Sequence, residues 1–446
     1  VALLTVLALG LLWAAGAQAA PIISLDKSGG SVLAGEDGSV TLTASNAASN
    51  PAIASDWGYN ASFRDVLPVG VSLASTSVPT TSVIPNAPSP GETTVIWENV
   101  GDVAPGSTTT LTYSLSYDLD TGSGGEYVVG DTFTNSAGVY VNSDPRVVPD
   151  FGPDGQPTGD STQSATDTAD TTINPFELRI SEPNAEGEIL RGLHDHQTAY
   201  TFTLENNPAV ATNNTTIYGA FPAGLELLAC GTDDNTTDAP TNPGNTEEYS
   251  GSGPINPGNA PALGNPCPTL DIVETISGTS WDPDGPGGVP ALQLPEGGVW
   301  TVFSIDSGNL AVGETVDFDL VAAIPIFPNT LSWPGGEPAP ASGDQASNLD
   351  NNSVGSSETL DETSLTVRAQ GVGEYDGPIG PGTPTPQSDP AELTRTAEDL
   401  SVHKSVDDGG IDQGQLSTWS MLIEASEYRR AEDIRITDTL PDGLCP

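Results

Sequence analysis

Two stretches of the chain alternate strictly between apolar and polar positions. In the first, Leu111, Tyr113, Leu115 and Tyr117 share one phase, and Thr110, Thr112, Ser114 and Ser116 share the other. In the second, Val316, Phe318 and Leu320 alternate with Thr315, Asp317 and Asp319. Side chains of a strand point to opposite faces in turn, so this period predicts half-buried antiparallel strands. No stretch beyond the first twenty residues carries a helical period. Each alternating strand follows a turn, at Gly106 or Gly313, and each turn follows another apolar run. The sequences are "TVIWENVGDVAPGSTTTLTYSLSYDL" and "WTVFSIDSGNLAVGETVDFDLVAAI".

The upstream half repeats as well. "ISLDKSGG", "SVTLTASN" and "YNASFRDVLPVGVSL" are matched by "LRISEPNA", "TAYTFTLEN" and "NNTTIYGAFPAGLEL". A third copy reads "LSVHKSVDD", "STWSMLIEAS" and "AEDIRITDTLPDGLCP". Each copy places two strands before a third that ends in Pro-x-Gly, at Pro68/Gly70, Pro222/Gly224 and Pro441/Gly443. Proline fixes φ and glycine accepts positive φ, so these are turns. Short strands separated by turns predict an all-β chain of tandem immunoglobulin-like antiparallel β-sandwiches with Greek-key connections. The expected division is sandwich 1 over 20–174 and sandwich 2 over 175–368 with a long loop insert at 231–266. A linker over 369–398 and a truncated third sandwich over 399–446 follow.

Composition narrows the function. The 446 residues carry 60 acids against 11 bases, a formal charge of −49. Such a surface repels nucleic acid and anionic membranes and suits a salty medium. Residues 1–19 are apolar and close on Ala17-Gln18-Ala19, ahead of Pro21. This resembles a secretory signal peptide lacking its start, with a membrane anchor as the competing reading. Export, without membrane insertion after cleavage, is the expectation, with a secreted or cell-surface location.

"VHKSVDD" with "ITDTLPDGL", and "PGSTTTLTYSL" with "FTNSAGVYV" in sandwich 1, resemble the bacterial surface-protein repeat called domain of unknown function eleven. The same segments are similar to the isopeptide-forming domains of fimbriae and adhesins. The resemblance implies a non-catalytic exported stalk or adhesin whose surface ligand, carbohydrate or protein, is unspecified. In some relatives a lysine on the first strand bonds to an asparagine on a late strand, assisted by an acid. Burial lowers a lysine's pKa and frees its amine as a nucleophile; burial raises an acid's and lets it pass a proton to the carboxamide. The chain's two lysines stand in matching frames. The resemblance therefore implies Lys27, Asp65 and Asn135 in sandwich 1, and Lys404 with Asp438 in the third copy. In sandwich 2 the sequence alignment puts Glu182 and Gly219 at the lysine and aspartate positions. The competing reading makes Asp65 a turn cap, Asn135 a loop residue and Lys27 a solvated edge residue.

Other constellations carry less. Cys230 and Cys267 flank the insert, and in an exported chain they are expected to form a disulfide, adding about 3–4 kcal/mol. Asp144, Asp150 and Asp154, and separately Asp282 and Asp284, sit in tight loops with oxygen ligands of the kind calcium takes, against the alternative of solvated acidic loops. His194 and His196 form a His-x-His without an evident third ligand for zinc. No other cofactor is expected. Two alternatives stay open: an accessory region of a secreted enzyme or carbohydrate-binding protein, and a calcium-stiffened surface-layer or matrix component.

Overall fold

The computed structural model describes residues 21–47, 56–159, 163–182, 187–192, 196, 198–230, 270–283, 291–324, 360–380, 387–406, 415–426 and 431–439. The signal-like segment, the 231–266 insert, Cys267, His194, Asp284, Cys445 and the third Pro-x-Gly turn lie outside them. The described residues are all-β, and two compact units are present. One comprises the chain to Pro175 with Asn207–Val210 and Tyr375–Pro386, and the other the remainder.

The first unit is built from β1 (Ile23–Lys27), β2 (Gly30–Leu33), β3 (Gly38–Asn46), β4 (Gly58–Leu67), β5 (Val71–Thr76), β6 (Ser82–Pro85), β7 (Thr93–Val103), β8 (Thr108–Tyr117) and β9 (Thr132–Asn142). A short ribbon of β10 (Asp150–Phe151) and β11 (Pro157–Thr158) precedes β12 (Gln163–Asn174). A four-stranded sheet ordered β1-β3-β8-β5 belongs with a six-stranded sheet ordered β2-β12-β9-β4-β7-β6. The alternation on β8 sends Leu111, Tyr113 and Leu115 into the core beside Leu42, Phe63, Trp97 and Val139. At the Pro-x-Gly turn the Val71 amide donates to the Pro68 carbonyl at 3.1 Å, and Gly70 takes a φ of 78°.

The second unit repeats this plan with β13 (Phe176–Ser181), β14 (Glu188–Leu190), β15 (Thr198–Asn206), β16 (Thr212–Pro222), β17 (Glu226–Cys230), β18 (Leu270–Trp281), β19 (Leu292–Leu310), β20 (Thr315–Ala323), β21 (Ser364–Tyr375) and β22 (Ala391–Glu398). Its sheets run β13-β15-β20-β17 and β14-β22-β21-β16-β19-β18, the same topology strand for strand. The third copy contributes a hairpin of β23 (Leu400–Val406) and β24 (Trp419–Ala425).

The ladders are antiparallel except for one pair in each six-stranded sheet, β2 with β12 and β14 with β22. One expectation is corrected. The 369–398 stretch is not a linker: it holds most of β21 and all of β22, which pair with each other from Ser364/Thr396 to Ala369/Ala391. Its glycines mark close packing. A Cβ at Gly371 would come within 2.7 Å of Leu204, and one at Gly373 within 2.7 Å of Thr215.

Candidate functional site

Four polar side chains occupy the inward phase of four strands in the first unit. Lys27 follows Leu25 on β1, and Asp65 stands between Phe63 and Leu67 on β4. Tyr113 stands between Leu111 and Leu115 on β8, and Asn135 between Phe133 and Ala137 on β9. Lys27 and Tyr113 come from the four-stranded sheet, Asp65 and Asn135 from the six-stranded one, so the cluster bridges the sandwich. Asn135 precedes the last strand of the unit in sequence. It is nevertheless central, because β12 pairs outside β9 and leaves β9 beside β4.

The groups converge on one carboxylate. Lys27 Nζ donates to Asp65 Oδ1 at 2.7 Å, with both side chains fully buried. Asn135 Nδ2 donates to Asp65 Oδ2 at 3.1 Å, and the Tyr113 hydroxyl donates to the same oxygen. The buried Oδ1 of Asn135 has no hydrogen-bond partner. Burial pulls the Lys27 pKa below the ordinary ammonium range, while the Asp65 and Asp167 carboxylates oppose that shift. Burial, followed by the charge of Asp65, pushes the Tyr113 phenol far above its usual value, so it stays a donor.

Backbone packing sets the reach of Lys27. Its amide donates to Asp167 Oδ2 on β12 at 2.8 Å. Two residues on, a Cβ at Gly29 would lie 2.4 Å from the Asp170 carbonyl and 2.8 Å from the Ala169 Cβ. Only glycine lets the chain press so closely on β12. Ala169 is in turn the ladder partner of Asn135. Asp167 and Tyr113 were not singled out in the sequence. Tyr113 reads there as one more member of an apolar face, and Asp167 as one acid among many.

Ladder register identifies the equivalent positions in the second unit. Asn46 faces Ile23 and Asn206 faces Phe176, so four residues along each edge strand Lys27 corresponds to Ile180, not to Glu182. Glu182 instead pairs with Arg395 Nε at 2.5 Å and accepts from Thr198. The shared turns make Asp65 equivalent to Gly219, with Val95 opposite the first and Phe303 opposite the second. Tyr113 faces Val40 six residues before Asn46, and Leu320 faces Tyr200 six before Asn206. Asn135 lies three residues after Thr132, which faces Thr172; Val367 lies three after Ser364, which faces Thr396. The second unit therefore holds Ile180, Gly219, Leu320 and Val367 where the first holds the polar four. A Cβ on Gly219 would stand 2.2 Å from the Phe303 ring, which fills that space.

In the third copy Lys404 takes the register place of Lys27, since Leu400 faces Ala425 as Ile23 faces Asn46. Lys404 Nζ donates to Asp438 Oδ1 at 2.6 Å and sits 4.4 Å from the Trp419 ring centroid. This pair is part-exposed, at 30% and 29%.

The remaining sequence-predicted groups separate. Asp144 pairs with Arg146, whose hydrogen bonds hold its pKa down to about 2. Asp150 accepts from Phe151 and Thr158, and Asp154 from the Gln156 amide. Among the described residues no group of three or more acids, histidines or cysteines is placed to hold a metal. Hydrogen bonds from their own loops reach Asp144, Asp150 and Asp154 alike. Asp282 directly follows β18, and Asp284 lies outside the described residues. Cys230 ends β17, while Cys267, its expected partner, lies outside the described residues. His196 Nε2 lies 3.1 Å from the Ala425 carbonyl. Trp97 and Trp300 are core residues. No helix among the described residues is long and apolar enough to cross a membrane.

No family model matches the chain, so the repeat family that the sequence resembles is not found in that way, and no curated protein matches either. Among solved structures the chain is similar to the C-terminal domain of the AgI/II polypeptide BspA of Streptococcus agalactiae, at 8% identity, covering 84% of this chain and 99% of that one, with a TM-score of 0.20. It is similar to the C-terminal domain of the antigen I/II-family protein AspA of Streptococcus pyogenes, at 8% identity, 85% and 99% coverage and a TM-score of 0.18. A C-terminal fragment of the Streptococcus agalactiae major pilin GBS80 matches at 10% identity, 84% and 91% coverage and a TM-score of 0.20. Scores this low carry no argument about function.

Proposed function

We propose that the chain is a non-catalytic, exported surface protein whose tandem sandwiches form a stalk or adhesin, and that its first sandwich is stiffened by an amide bond between Lys27 and Asn135. The observation that carries this is the fully buried Lys27–Asp65 pair with Asn135 on the other oxygen of the same carboxylate. A buried ion pair is a poor way to stabilise a core, because removing two charges from water offsets most of their attraction. Its retention is explained by chemistry.

The reaction balances without an outside reagent. Lys27 passes a proton to Asp65 Oδ1 and becomes a neutral amine. Its nitrogen attacks Cγ of Asn135 while the protonated Asp65 supports the carbonyl oxygen. Asp65 gives its proton to Nδ2 and takes the surplus proton of the attacking nitrogen, the Cγ–Nδ2 bond breaks, and ammonia leaves with Asp65 protonated. The cross-link joins the two sheets of the first unit in a single event and involves no turnover. In the third copy, Lys404 and Asp438 would be the corresponding nucleophile and acid.

Pulling on single molecules tests the mechanical role. Under reducing conditions, a cross-linked first unit withholds the residues between Lys27 and Asn135 from extension, whereas the second unit releases its full length. Full extension of both units would defeat the proposal.

A further inference from the structure

We infer that Tyr113 is a catalytic member of this site, a hydrogen-bond donor that with Asp65 holds the carbonyl oxygen of Asn135 as it becomes negative during attack. The inference rests on the amide-forming reading above and adds a residue to it.

Three observations carry it. The first is geometric. The Tyr113 hydroxyl and the Asn135 amide nitrogen both donate to Asp65 Oδ2, so the two groups meet at one oxygen. The second is the orphaned oxygen. In the resting arrangement Asn135 turns its nitrogen toward the ionised carboxylate and leaves Oδ1 buried without a partner. A buried acceptor left bare is costly. Once Asp65 takes the proton from Lys27, a half-turn of the amide brings Oδ1 to the place of Nδ2. With the carboxyl turned so that its proton lies on the oxygen beside Asn135, that Oδ1 faces two donors, the Asp65 carboxyl and the Tyr113 hydroxyl. A pair of fixed donors at the point where charge develops is what acyl-transfer chemistry requires. The third observation comes from the second unit. Leu320 replaces Tyr113 in the sandwich where Ile180, Gly219 and Val367 replace Lys27, Asp65 and Asn135. A tyrosine kept only to fill the core would not need to disappear with the three reactive groups.

The ring is fixed for this purpose. Tyr113 packs 5.1 Å from Trp97, centroid to centroid, and Trp97 Nε1 donates to Thr76 Oγ1 at 3.1 Å. The hydroxyl remains a donor throughout, so no proton leaves it and the balance of the reaction is unchanged.

The test follows bond formation in the full chain after cell-free synthesis, reading loss of ammonia by intact mass against time and pH. Tyr113→Phe is expected to close roughly a hundredfold more slowly, as for loss of one such donor. Its pH profile should keep the shape of the parent's. Circular dichroism of Lys27→Ala with and without Tyr113→Phe checks that the hydroxyl is not needed for folding. Should that variant not fold, a fluorotyrosine at 113, a stronger donor of nearly the same shape, is expected to close faster than the parent. A parental rate for Tyr113→Phe, or for the fluorotyrosine chain, overturns the inference. So does slow closure with a displaced pH midpoint, which would make Tyr113 a positioning residue acting through Asp65. A parent chain that never loses ammonia overturns the underlying reading, and the inference with it.

Discussion

The two sandwiches share a strand order, a parallel edge pair and their turns, yet one centre is polar and the other aromatic and aliphatic. In the first, Lys27, Asp65, Tyr113 and Asn135 meet in a space closed to water. In the second, Phe202, Phe221 and Phe303 pack edge to face or tilted, with ring centroids 5.4 to 6.3 Å apart, beside Leu320 and Val367. The fold therefore does not need the polar cluster. An apolar centre supports the same topology without the desolvation cost of two charges. The difference also explains why the losses go together. A lone aspartate at position 219 would have neither lysine nor space, and a lone lysine would be a buried charge without a partner.

The largest expected effect comes from Lys27→Ala. It removes the constraint on a long loop, on the order of 4–5 kcal/mol in the chain-entropy account, and leaves Asp65 buried without its cation, a further ~3–5 kcal/mol. Scanning calorimetry should show the first unit melting far below the parent while the second is unmoved. Gly219→Asp attacks the comparison from the other side. Overpacking against Phe303 and an unpaired buried carboxylate together should cost about 4 kcal/mol or more in the second unit alone.

A smaller effect is expected from writing the second centre into the first. The chain with Lys27→Ile, Asp65→Gly, Val95→Phe, Tyr113→Leu and Asn135→Val should fold, keep its ammonia, and lie within about 2 kcal/mol of an unlinked Asn135→Ala parent. Loss of the fold in that chain would show that the polar centre is structural after all.

The smallest effect concerns the end of β22. Burial, then the neighbouring Asp361 and Glu188 charges, raise the Glu398 pKa to about 7 from an ordinary 4.5. The folded chain binds this proton more tightly than the unfolded one. Its contribution is complete below pH 4.5 and is lost as pH rises through about 7. The second unit should melt at a slightly higher temperature at pH 5 than at pH 8, and Glu398→Gln should flatten that difference.

Much of this was legible in the sequence, for definite reasons. Period-two alternation placed β8 and β20, and Pro-x-Gly placed the turns, because both are local effects. The Lys27, Asp65 and Asn135 set followed from a family resemblance and from a lysine repeated in frame. Ladder register was not legible. The sequence aligns Glu182 with Lys27, but pairing across β13 and β15 puts Ile180 there. The tyrosine was hidden because its phase is that of an apolar residue and its hydroxyl partner lies on another sheet. The Gly- and Pro-rich stretch at 369–398 imitates a linker in composition. Its glycines are required by the close approach of Leu204 and Thr215.

The most direct test of the central claim is the intact mass of the full chain beside Asn135→Ala, followed by digestion and sequencing of the peptides. The account predicts that the parent lacks one ammonia that the variant chain does not lose, and that the peptides bearing Lys27 and Asn135 are recovered joined. A deficit of one water with Lys27 joined to Asp65, or both peptides recovered free, would contradict it.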